Sequence, residues 1–382
     1  MTARGFYTLL SGCALLITAL SVGSEGAFLL GCAALLSLAI SLLSVLLAAC
    51  TCRLTQHTDS DKVMRREQIA YALSVRVFSP LPIAPLALQF CMPSGRETSF
   101  LLTARLIGET VSESAFTCPH VGICHVGATH VTISDCFSLF SLTRKLRAPL
   151  IPVTVLPNPI DSACPAFSPG EGEHSAAQRA QSDRSTPVDT RAWQDGDELK
   201  RVHWKLSMRK QSLMVHTYET RQRPDALILL DCGQPECEPS ERAQIVDALT
   251  EHAAGVIKAL LEEAHPVRMP LCGKTEREVS GQDAAALTQM LEALALEPFD
   301  VPVDFCRVLT LSARRMRRTG ATVILSSRLT PKMADAMIAL SRMGPRTQFM
   351  LVTRHEASEQ QEKLLHLLRS SGVTARCVKS ES

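Results

Sequence analysis

The sequence predicts a multidomain protein: a two-helix transmembrane hairpin, a small antiparallel β-sandwich-like domain, and a C-terminal doubly wound α/β domain. Three observations carry this expectation. Residues 6–22 and 27–50 are uncharged and rich in Leu and Ala, with only a Gly-Ser-Glu-Gly break between them. Between 69 and 157, short β-prone segments are bounded by Pro and Gly. From residue 226 onward, apolar strand-like runs alternate with helical segments to the C-terminus.

A chain of 382 residues has room for two or three domains. Its 40 basic and 38 acidic residues leave a net charge of +2, which excludes the basic excess of a nucleic-acid binder. The 14 cysteines are scattered in apolar runs and on candidate strands, as in a reduced, cytosol-facing protein. Cys118, His120, Cys124 and His125 come nearest to a metal cluster. Their spacing misses the usual zinc patterns, so no zinc is expected there.

The expected boundaries are 1–52 for the hairpin, 53–68 for a juxtamembrane linker and 69–157 for the β-rich domain. A flexible loop follows at 158–187, then a signature segment at 188–224, then the α/β domain at 225–382. A membrane span needs about 20 apolar residues, with about 17 as a minimum. Both apolar runs satisfy this. Arg4 precedes them, Arg53, Lys62, Arg65 and Arg66 follow, and the tip carries only Glu25. The positive-inside rule then places both termini and the soluble domains in the cytoplasm, against the inner (plasma) membrane. A cleaved signal peptide or a lipoprotein site at Cys13 would leave the second run as an anchor.

In the β-rich domain the candidate strands are 71–78, 86–90, 99–107, 128–133 and 153–156, at intervals that suit a sandwich. Residues 158–187 carry little apolar mass, too little to offset the entropy of ordering.

The stretch 193–209 contains both tryptophans, Trp193 and Trp204. Asp195, Gly196 and Asp197 form a turn signal, with Asp197 placed to cap a helix over 198–209. On that helix Arg201, Lys205 and Arg209 would form a basic stripe, ahead of a strand over 212–219. An acid–base role for Asp197 or Asp195 with His203 is conceivable chemistry, but no nucleophile accompanies them at a recognisable spacing. Packing or partner docking is therefore the expected use of Trp193, Gly196, Asp197, Arg201, His203, Trp204, Lys205, Ser207 and Arg209. A packing role predicts a cost of about 3–5 kcal/mol for Trp204→Ala.

In the C-terminal domain the strands are expected at 226–231, 267–271, 321–325, 348–352 and 373–378. The helices are expected at 242–263, 283–296, 331–343 and 358–370. Ligand sites in such sheets lie at the strands' carboxyl ends.

The motif resembles the signature of the bacterial "domain of unknown function 58" family. That pattern has an aromatic residue, Gly-Asp, then Arg-x-Ile-His-Trp-Lys-x-Ser-Ala-Arg and a strand ending in an acid. Here it reads from Trp193 through Gly196, Asp197, Arg201, His203, Trp204, Lys205, Ser207 and Arg209 to Glu219, with Met208 in place of a small residue. Upstream, 134–140 resembles the family's Asp-Pro-Phe-Gly-Leu-Phe element with its Pro and Gly lost. The resemblance covers nearly the whole chain. It implies a von Willebrand factor A-like C-terminal domain, work alongside a MoxR-type AAA+ ATPase, and a role in envelope assembly or maturation. Domains of that fold often bind a metal through Asp-x-Ser-x-Ser. This chain keeps Asp231 but has Gly233 and Pro235 at the serine positions, so the site is degenerate and no magnesium is expected. The expected function is a membrane-anchored scaffold in contact with the lipid bilayer. The alternatives are a membrane-associated enzyme using Asp197 and His203, or a metal-dependent adhesion module at Asp231.

Overall fold

Two apolar helices open the chain in the computed structural model, which describes residues 2–79, 83–92, 97–103, 108–146, 149–167, 187–194, 202–218, 224–272, 276–300, 304–313 and 319–380. They are α1 (Ala3–Val22) and α2 (Glu25–Thr51). Thr2 caps α1 by accepting from the Gly5 N–H, and Gly23 ends it at φ 68°, a conformation that glycine adopts without strain. Ser24 then caps α2. Small residues set the spacing of the pair: a Cβ on Gly31 would lie 2.8 Å from Leu16 Cγ and 3.2 Å from the Gly12 carbonyl oxygen. Both helices are long and apolar enough to cross a membrane.

The described residues fall into two compact units, 1–158 with 291–297, and 159–290 with 298–382. Beyond the hairpin, the first unit holds two sheets. Strands β1 (Arg53–Thr58), β3 (Gln68–Arg76) and β6 (Glu109–Thr117) form an antiparallel sheet in the order β1-β3-β6. The second sheet runs β2 (Lys62–Met64), β9 (Ile151–Leu156), β7 (Gly122–Ser134), β4 (Leu86–Cys91), β5 (Glu97–Leu102), with β8 (Ser141–Lys145) also on β7. Period-two burial along β3 sends Ile69, Tyr71, Leu73 and Val75 into a core shared with Leu86, Leu88, Ile133 and Val153 of the other sheet. Tyr71 meets Phe90 edge-on, with ring centroids 4.8 Å apart. Residues 53–68, expected as a linker, are instead largely sheet: β1 lies along β3 from Arg53↔Arg76 to Thr58↔Tyr71.

The second unit contains a six-stranded sheet in the order β14-β13-β12-β15-β16-β17. Its strands are β12 (Asp225–Leu230), β13 (Val267–Cys272), β14 (Glu276–Gly281), β15 (Thr319–Ser326), β16 (Arg346–Thr353) and β17 (Thr374–Lys379). All neighbours are parallel except β13 and β14. Every residue of β15 is buried, as a central parallel strand covered on both faces requires. A further short helix, α3 (Trp204–Lys210), precedes β12 and is described with the site below. Helices α4 (Pro239–Glu262), α5 (Ala286–Leu296), α6 (Phe305–Ala313), α7 (Pro331–Ser341) and α8 (Glu359–Ser370) follow β12, β14, β14, β15 and β16. Strand β14 and helix α6 were not anticipated from the sequence pattern.

Of the expected flexible loop, residues 168–186 lie outside the described residues. The part before them is anchored. The Ile160 N–H donates to the Glu251 carbonyl at 3.4 Å, and Gly255 lacks the Cβ that would collide with the Ile160 carbonyl. The Phe167 ring stacks on His265 at 4.0 Å.

Candidate functional site

The signature segment is built on a two-stranded ribbon. Strand β10 (Pro187–Ala192) pairs antiparallel with β11 (Met214–Tyr218). The Trp193 N–H extends the ladder to the Leu213 carbonyl at 2.8 Å. Val202 is buried and forms an isolated antiparallel bridge to Val215, so the chain is extended at a position expected to be helical. Helix α3 begins only at Trp204. The expected helix over 198–209 is thus corrected at Val202 and His203, because burying Val202 against β11 outweighs its place in a helical period, while 198–201 lie outside the described residues. Gly196, Asp197 and Arg201 lie outside the described residues, and with them the expected Asp197 cap and the first member of the basic stripe.

His203 occupies the cap position. Its Nδ1 accepts from the Leu206 N–H at 3.2 Å, and its backbone N–H donates to the Met214 carbonyl at 2.8 Å. A neutral imidazole has one acceptor nitrogen. Here the Nδ1 lone pair serves the first turn of the helix and is not turned towards a substrate, as a general base would require. Ser207 is equally committed. Its Oγ donates to the His203 carbonyl at 3.0 Å and accepts from the buried Met214 N–H at 2.8 Å. These bonds hold α3 to β11.

The opposite face of α3 is open. Trp204 is 60% exposed and Met208, one turn on, is 80% exposed. Lys205, Arg209 and Lys210 are exposed beside them, and Gln211 ends the helix at φ 51°. Trp204 is therefore not the buried lock that a packing role requires. The tryptophan that does sit partly buried is Trp193.

The second candidate lies in the α/β unit, at the carboxyl ends of β12 and β15. Successive strands leave β12 on one side to β13 and on the other to β15, which makes this a topological switch point. Asp231 follows β12, and its side chain is 1% exposed. Its Oδ1 accepts from the Gly233 N–H at 3.1 Å and from Arg328 Nη2 at 3.3 Å. Its Oδ2 accepts from Ser326 Oγ at 2.7 Å and from Arg328 Nε at 3.0 Å. A carboxylate offers about four acceptor positions. All are filled, two of them by one guanidinium. The bond to Asp231 is also the main cause that raises the Arg328 pKa above its ordinary value. Sequence reasoning missed Arg328, which stands 97 residues from Asp231.

A surface concavity of about 520 Å³ lies at α8, beside Glu362, Lys363, His366 and Arg369, away from both candidates. The sulfurs of Cys118 and Cys124 are 3.6 Å apart. Among the described residues no three His, Cys, Asp or Glu side chains are grouped to hold a metal.

Comparison with known proteins agrees with the motif. Residues 189–362 match the family model described as "Protein of unknown function DUF58". The match spans the ribbon, α3 and most of the six-stranded sheet, so the class is set by the signature and the α/β unit that follows it. Over this stretch the chain belongs to the DUF58 family. No curated protein matches it. Among solved structures, the CARDB domain of a Pyrococcus furiosus protein, in complex with di-metal ions, aligns at 14% identity over 28% of this chain and 94% of that one, with a TM-score of 0.20. Cwp6 from Clostridium difficile aligns at 11% identity over 85% of this chain and 49% of that one, with a TM-score of 0.19. Neither superposition is close enough to inform the fold.

Proposed function

We propose that this protein is a membrane-anchored scaffold whose signature helix is a docking face for a partner protein. The observation that carries the reading is the exposed surface of α3, where Trp204 and Met208 stand at 60% and 80% exposure beside Lys205 and Arg209. Large solvent-facing apolar side chains next to basic ones are the composition of an interface anchor, with Trp and Arg enriched at binding hot spots. The face behind them is fixed to β11 by Ser207 and His203, so the presented side chains are held on a rigid support.

In this reading the hairpin spans the plasma membrane, its tip outside and both soluble units in the cytoplasm, as the basic residues after α2 favour. The six-stranded sheet serves as a von Willebrand A-like platform, and the β unit is a sandwich-like spacer. The partner class is a MoxR-type AAA+ ATPase acting in envelope assembly or maturation. No cofactor or nucleic acid is needed.

The test is affinity capture from crosslinked membranes, with and without ATP. An AAA+ ATPase should be recovered with the native chain. It should be lost with Trp204→Ala/Met208→Ser, provided that variant melts as the native protein does. Capture that is unchanged in the variant would overturn the docking face. A protease-sensitive C-terminal tag in intact cells would overturn the topology.

A further inference from the structure

Domains of the fold that the resemblance implies often bind a metal at the position that follows β12 here, and the residues present do not fit one. A hard cation needs free oxygen ligands. Both oxygens of Asp231 are already saturated by Gly233, Ser326 and Arg328. The remaining serine positions of the metal motif carry Gly233 and Pro235, which bring no side-chain oxygen.

We infer that Arg328 supplies, as a tethered guanidinium, the positive charge that a divalent cation would bring to this crevice, and that Gly233 is the change that admits it. The second half rests on a separate observation. A Cβ built on Gly233 would collide with Arg328 Nη2, and would stand 3.2 Å from its Cζ and 3.0 Å from Asp231 Oδ1. Gly233 is not in the left-handed region, so glycine is not demanded there by backbone conformation. The space a Cβ would take there is filled by the guanidinium as it is held on Asp231. The serine that would ligate a metal and the arginine that replaces the metal thus compete for the same space. The planar fork of arginine suits the exchange, since it meets both oxygens of one carboxylate at once.

The consequence is a permanently closed cation site. Its charge balance does not depend on magnesium supply, and its geometry ties the ends of β12 and β15 together at the switch point.

The experiment uses the full chain in detergent, with Mn²⁺ binding followed by electron paramagnetic resonance and melting followed by calorimetry. The native chain should bind no more Mn²⁺ than Asp231→Asn, and should melt alike in Mg²⁺ and in chelator. Gly233→Ser should lower the melting temperature, by on the order of 5–10 °C, because it expels the guanidinium. Gly233→Ser/Arg328→Ala should acquire one Mn²⁺ site, lost again when Asp231→Asn is added, with melting that Mn²⁺ raises. Native Mn²⁺ binding that Asp231→Asn abolishes would overturn the inference. So would a Gly233→Ser chain that melts as the native one does. The native and Asp231→Asn comparison decides the matter even if the double variant fails to fold.

Discussion

The two candidate sites of this chain treat their side chains in opposite ways. On α3, the His203 Nδ1 and the Ser207 hydroxyl are consumed by backbone partners while Trp204 and Met208 face solvent. At the switch point of the sheet, a charged side chain is buried and every acceptor on it is filled. A site that keeps its chemistry satisfied internally has little left to offer a ligand. A site that leaves apolar surface in water gains by covering it. The contrast argues for recognition at α3 and for structure at Asp231.

The largest test of that contrast is Asp231→Ala. It leaves the Arg328 guanidinium, whose side chain is 24% exposed, without the Asp231 carboxylate and with the exposed Glu236 carboxylate 3.8 Å away. Breaking one member of a buried pair costs about 3–5 kcal/mol, and the partial exposure of Arg328 places this site at the lower end, about 3 kcal/mol. Calorimetry of the full chain should show the loss. A change below about 0.5 kcal/mol, the range of ordinary surface substitutions, would remove the structural role and reopen the site for ligands.

Ser207→Ala comes next. It strips the Met214 N–H of its acceptor in a buried position, which costs about 1–3 kcal/mol. Amide hydrogen exchange at Met214 should rise in the variant. Unaltered protection would mean that α3 is held to β11 by something other than this hydroxyl.

What the sequence disclosed follows from where each signal is stored. The hairpin was legible because uninterrupted apolar composition is itself the physical requirement for spanning. The alternation in the α/β unit was legible because strands such as β12 and β15 are buried on both faces and read as apolar runs. Strand β1, with Arg53, Thr55, Gln56, His57 and Thr58, was not, since an edge strand with a mostly solvent-facing surface has no apolar alternation to read. The start of α3 was misjudged because Val202 fits a helical face and a strand pair equally well, and only β11 decides between them. Arg328 was out of reach, as no spacing rule joins residues brought together by a parallel sheet. The one trace of it in the sequence is Gly233, a small residue standing where the family motif has a ligand.

A second departure from the family pattern gives a smaller effect. Where the upstream element has glycine, this chain has Ser138, and its φ is 57°. The turn is kept by Asp135, whose carboxylate accepts from the Phe137 N–H at 3.1 Å and the Phe140 N–H at 2.8 Å. Left-handed backbone costs a non-glycine residue about 1–2 kcal/mol, partly offset because glycine loses more entropy on folding. Ser138→Gly should therefore stabilise the first unit, by about 0.5–1 kcal/mol. Destabilisation would show that the Ser138 side chain contributes to the turn. At Gly233 the departure is filled by another side chain, whereas at Ser138 it is tolerated against a backbone cost.

The smallest stability change should come from Trp204→Ala, and it is the most discriminating. A buried tryptophan would cost about 3–5 kcal/mol on truncation. At 60% exposure, the expected cost is within about 0.5 kcal/mol. A partner that buries the same ring should instead lose about 2 kcal/mol or more of binding free energy, a roughly thirtyfold weaker complex. The two readouts separate the explanations. Unchanged melting with lost capture assigns the indole to the interface. Lowered melting returns it to the fold, and the distinction drawn between the open face of α3 and the closed crevice at Asp231 falls with it.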